Sequence, residues 1–93
     1  MCFSQEKIDK IASLAADLTP VSEIAAILDV NEDELRLALS DHRSDVRRAY
    51  MKAKANTALM LRHQEIEFAR VGSPLAVQLT GTYLREMSAD EDF

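Results

Sequence analysis

Residues 18–39 read LTPVSEIAAILDVNEDELRLAL, and this stretch decides the fold. Val21, Ile24, Ala25, Ile27 and Leu28 recur at helical spacing, as do Leu35, Ala38 and Leu39, with only Asp29-Val30-Asn31 in the gap before the second helix starts. A helix-turn-helix needs a small residue where its helices cross, an abrupt turn, and apolar residues that lock the second helix. Ala25 fits the crossing, Leu28 and Val30 flank the turn, and Leu35 with Ala38 fits the locking positions. Gly is usual at such a turn; Asp29 stands there instead, one of the few residue types that tolerate positive φ. Asn31 is a natural N-cap, Glu34 can return a bond to the cap amide, and Glu32, Asp33 and Glu34 sit at the positive end of the dipole. The spacing predicts helices over about 20–28 and 31–40.

Upstream, Ser4 caps a helix whose buried stripe is Ile8, Ile11, Ala12, Leu14, Ala15 and Leu18. Thr19-Pro20 ends it and starts the next, with Thr19 as the expected cap and Pro20 at the first helical position, where no hydrogen bond is lost. Downstream, Ser44-Asp45 opens a helix with no breaker before Gly72, about 40 Å at 1.5 Å per residue. A bend near Asn56-Thr57 is left open. Val46, Tyr50, Ala53, Thr57, Met60, Gln64 and Phe68 follow one another by steps of three and four, and Leu59, Leu61, Ile66 and Ala69 widen the apolar surface. Apolar residues on more than one side predict self-association through this long helix. Gly72 suits a C′ position and Ser73-Pro74 restarts a helix buried through Leu75, Leu79, Tyr83, Leu84 and Met87. Gly81 within it suggests the close approach of another helix. Residues 88–93 read as an acidic disordered tail.

The expected fold is therefore all-α: an N-terminal three-helix bundle with a helix-turn-helix over 1–42, then a long basic helix and a C-terminal helix over 43–87. Few Gly and Pro, no Trp and an apolar set of Ala, Leu, Ile and Met agree with this. Ninety-three residues allow one domain of modest core. Cys2 is alone, no basic stretch leads into an apolar run at the start, and no run is long enough to span a bilayer, so the expected setting is the cytoplasm.

The net charge of −5 conceals a segregation: −6 over residues 1–42, +4 over 43–70 and −3 over 71–93. A polyanion should meet the middle of the chain. The groove-facing side of the second helix of the motif would carry Asn31, Glu32, Asp33, Arg36, Leu37 and Ser40. Two of its first three positions are acids that phosphates repel, and Arg36 is its only cation. Base readout and a purely structural motif stand level on these residues. The stronger electrostatic footprint is Arg43, Arg47, Arg48, Lys52 and Lys54, which could hold phosphates without reading bases. A solvated helix face is the alternative.

No enzyme, cofactor or metal is expected. His42 and His63 lie far apart without clustered ligands, only two glycines exist to build a phosphate loop, and Glu65 and Glu67 point in different directions.

The order of features resembles small phage and prophage helix-turn-helix proteins related to terminase small subunits. The stretches that carry the resemblance are residues 18–35, LTPVSEIAAILDVNEDEL; residues 49–55, AYMKAKA; and residues 61–76, LRHQEIEFARVGSPLA, before a leucine-rich helix. The resemblance implies a non-enzymatic component of DNA packaging, phage-encoded and acting in a bacterial cytoplasm. It would recognise double-stranded DNA, assemble as an oligomer and hand DNA to a large motor partner. Arg36 would then be the groove residue, and Arg43, Arg47, Arg48, Lys52 and Lys54 would hold phosphates. Two rivals remain: a structural or adaptor protein assembling through the long helix, and a small transcriptional regulator.

Overall fold

The computed structural model describes residues 3–72 and 75–93, apart from the side chains of residues 69, 71 and 75–80. It holds five helices: α1 (Gln5–Ala16), α2 (Val21–Leu28), α3 (Glu32–Ser40), α4 (Asp45–Val71) and α5 (Leu75–Ala89). The all-α architecture expected from periodicity is the one observed, with helix-turn-helix, long helix and C-terminal helix in that order.

Local signals act where the sequence placed them. Ser4, Asn31 and Ser44 each accept the backbone N–H three residues on, at 3.2, 2.9 and 3.0 Å. Asp29 adopts the left-handed conformation, φ 53° and ψ 47°, and the Val30 N–H returns to Ala25 O. Gly72 ends α4 at φ 75°. No break occurs at Asn56-Thr57; α4 runs unbroken for 27 residues. The molecule is accordingly elongated, 48 × 20 × 19 Å.

The core joins Ile8, Ile11, Ala15, Leu18, Val21, Ile24, Ala25, Leu35 and Leu39 to Val46 and Tyr50 of α4 and Met87 of α5. The largest helix interface is α1 against α4, so residues 1–42 close their core on the long helix rather than by themselves. Thr57 tightens this interface by donating its hydroxyl to Ala16 O at 2.6 Å. Leu18 is the unexpected turn residue, at φ 59° where glycine is usual after a helix. Its side chain is buried, and that burial offsets the backbone strain.

Five expectations need correction, the first at Tyr83: placed in the buried stripe of the last helix, its ring is exposed, while Met87 of the same helix is the residue that reaches the core. Thr19 does not cap α2, and Pro20 lies one position outside the helix, as its N-cap residue, with no side-chain bond of its own. Ile27, one of the apolar set at helical spacing, does not join the core but is exposed, because only one side of this two-turn helix meets it. Among the described residues no neighbouring helix approaches Gly81: the atom a Cβ there would meet is the Arg85 guanidinium nitrogen of its own helix, at 3.5 Å. Residues 88–93 are not a loose tail; they fold back over α2, α3 and α4 through the contacts described below. Ser73 and the start of the last helix's buried stripe, Leu75 and Leu79, lie outside the described residues or side chains.

Candidate nucleic-acid interface

The seven polar residues singled out from the sequence divide into two groups. Arg36, Arg47 and Lys54 face inward toward the C-terminal segment. Arg43, Arg48 and Lys52 are exposed, and Ser40 lies with Arg43 in an open groove that Phe3 and Leu37 also line.

Asp90 organises the inward group. Its Oδ2 accepts the Ser22 backbone N–H at 2.9 Å and the Ser22 hydroxyl at 3.1 Å, which supplies the cap that Thr19 does not. Its Oδ1 meets Arg36 Nη2 at 3.3 Å, while Arg36 Nη1 donates to the Asp90 carbonyl at 2.8 Å and Nε to Glu32 at 3.1 Å. Burial opposes ionisation of Asp90, but the Ser22 amide and hydroxyl and the Arg36 charge outweigh it and hold the carboxyl below the usual range. Burial also works against the Arg36 charge; Glu32 and Asp90 overcome it and raise its already high pKa.

Glu91 engages the next position. Tyr50, fully buried on α4, donates its hydroxyl to Glu91 Oε2 at 2.7 Å, and Lys54 binds both Glu91 Oε1 and the Ser88 hydroxyl. Burial, and then the Glu91 carboxylate, push the Tyr50 hydroxyl far above its ordinary range. Phe93 closes the segment with an edge-to-face contact on Tyr50 at 6.0 Å, under the Arg47 guanidinium, also at 6.0 Å. Arg47 Nη1 further donates to Leu39 O at 2.6 Å. Arg47, Tyr50 and Lys54 follow at steps of three and four, so one face of α4 receives Ser88, Glu91 and Phe93 while α2 and α3 hold Asp90.

The outward group is less constrained. Arg48 pairs with Asp45 at 3.3 Å but its side chain is 74% exposed, so solvent screens that pair. Lys52 lies one turn further along the same face. Ser40 turns its hydroxyl back to Leu37 O at 2.6 Å. The outward side of α3 therefore offers Glu32, Asp33 and the apolar Leu37, while Arg36, the one cation of the helix, turns inward into ion pairs. Sequence reading missed Ser22, Asp90, Glu91 and Phe93. The available signal was an acidic segment ending in an aromatic residue, in a chain whose long helix has a basic face.

No protein-family model, curated protein or solved structure matches the chain. Among the described residues, no helix is long and apolar enough to cross a membrane, and no three His, Cys, Asp or Glu gather as a metal site.

Proposed function

We propose that this chain is a non-catalytic helix-turn-helix protein that holds duplex DNA by its phosphates, in the manner of a terminase-small-subunit-like component of phage DNA packaging. The observation that carries this reading is the exposed trio Arg43, Arg48 and Lys52 beside the helix-turn-helix. Arg48 and Lys52 in the first turns of a rigid helix, with Arg43 in the turn just before it, suit backbone contact. The acidic outward side of α3 disfavours base readout, so binding should depend strongly on salt and weakly on sequence.

Anisotropy of a labelled duplex, titrated at low and moderate salt, tests the reading. Wild type should bind at low salt and weaken steeply as salt rises, and Arg48→Glu with Lys52→Glu should abolish binding without lowering the melting temperature. Failure of wild type to bind at low salt, or unchanged binding by the double variant, overturns it.

A second reading, an adaptor that assembles through α4, is favoured by Leu59, Met60 and Ile66, three large apolar residues exposed along its second half. Sedimentation of the same double variant separates the two. Lost DNA affinity with unchanged mass supports the first reading; changed mass with no DNA effect supports the second.

A further inference from the structure

The position that Asp90 fills is built from three kinds of donor on two helices. A backbone N–H in the first turn of α2, the Ser22 hydroxyl and the Arg36 guanidinium converge on one carboxylate. One residue further, Tyr50 and Lys54 converge on a second. Helix-start amides, hydroxyls, guanidinium and ammonium groups are also the donors that bind phosphate, and the charge requirement is the same. Arg47, on the same face of α4 as Tyr50 and Lys54, lies over the Phe93 ring.

We propose that these are two phosphodiester sites, and that segment 88–93 is an intramolecular competitor which occupies them until a nucleic-acid backbone displaces it. The proposal rests on the DNA-binding reading above and adds its regulation. Attached to the same chain, the segment is always at high effective concentration, so it suppresses weak polyanions and yields to a multidentate one. Its displacement frees Arg36, Arg47 and Lys54 to extend the footprint of Arg43, Arg48 and Lys52.

The experiment compares full-length wild type with Asp90→Asn/Glu91→Gln, with Phe93→Ala, and with a control of equal charge change at distant exposed acids, Asp9→Asn/Glu65→Gln. Salt-titrated anisotropy on one short duplex is the readout. The Asp90/Glu91 variant should bind about tenfold more tightly at low salt, with a log–log salt slope steeper by about 1.8, the value for two added phosphates. Phe93→Ala, which leaves the charge unchanged, should move both in the same direction. The control should stay within about twofold of wild type, because exposed distant charges act only through a screened field. Adding Arg36→Gln/Lys54→Gln to the Asp90/Glu91 variant should erase the gain. Equal affinity of the segment variants and wild type, or a gain matched by the control, overturns the proposal.

Because Asp90 caps α2, a second measurement on wild type removes any dependence on variant folding. The Ser22 amide resonance should move when duplex is added. If the Arg48 and Lys52 resonances move while Ser22 does not, this proposal alone falls. If no wild-type resonance moves at low salt and no segment variant binds, the DNA-binding reading falls with it.

Discussion

From Val46 to Thr57, α4 lies against α1, α3 and the C-terminal segment, with Val46 and Tyr50 buried and Thr57 bonded to the end of α1. From Leu59 to Ile66 the same helix, with the same backbone geometry, leaves Leu59, Met60 and Ile66 exposed. The two halves differ little in apolar content. They differ in what is opposite them: the first half sends Val46 and Tyr50 into the core, whereas among the described residues of the second half only the partly buried Leu61 packs against it. Burial is thus a property of neighbours rather than of the helix, and the proximal half should carry nearly all of the stability that α4 contributes.

The largest effect expected from this contrast is at Tyr50. Tyr50→Ala removes a fully buried ring and the hydroxyl that holds Glu91, and should lower unfolding free energy by about 3–5 kcal/mol in denaturant melts. A loss below about 1 kcal/mol would mean that the proximal half is not the anchor of the core.

Asp90→Asn comes next, at about 1–2 kcal/mol, because the amide keeps the volume but loses the charge that Ser22 and Arg36 address. It has a pH signature. A carboxyl lowered from 3.8 in the folded state contributes stability in full above that value, and loses it as pH falls through the lower folded value. Wild type should therefore lose this increment only in acid, below about pH 4, whereas Asp90→Asn should lack it at neutral pH and show a flatter acid limb. Parallel curves for the two proteins between pH 6 and pH 2 would show that the segment is not held by this carboxylate.

Thr57 marks the boundary between the halves. Thr57→Val keeps the shape and leaves the Ala16 carbonyl without its 2.6 Å donor, which should cost about 1 kcal/mol. No change in melting temperature would place the boundary nearer to Tyr50.

What the sequence disclosed follows the same division between near and far. The caps at Ser4, Asn31 and Ser44, the left-handed Asp29 and the stop at Gly72 are decided within four residues, so spacing and residue type sufficed. Leu18 was legible as buried but not as a turn residue, since nothing local rewards leucine at positive φ; only the core does. The cap of α2 was assigned to Thr19, the nearest side chain able to act, while the group that acts lies 68 residues from Ser22. Charge segregation located the basic region correctly and hid its partition, because an acidic terminal segment can be either repelled into solvent or neutralised on a basic face. Arg36, Arg47 and Lys54, with Ser22 and Tyr50, supply enough donors for the second outcome. That choice depends on where five helices bring those donors, which no window of sequence contains.

The smallest expected effect is on the exposed half, and its size decides what that half is for. Met60→Gln and Ile66→Gln replace exposed apolar side chains with polar ones of similar length and helix propensity close to that of Met. In a monomer each should change the unfolding free energy by no more than about 0.5 kcal/mol, since little apolar area leaves water there on folding. Measured at two protein concentrations, the melting temperature then stays the same for wild type and variants alike. If α4 instead packs on a second copy through this face, wild type melts higher at the greater concentration, and the variants lose that increment by mass action. A loss above about 1 kcal/mol confined to concentrated samples would break the contrast between the halves, making the second half buried in the assembly as the first is in the monomer.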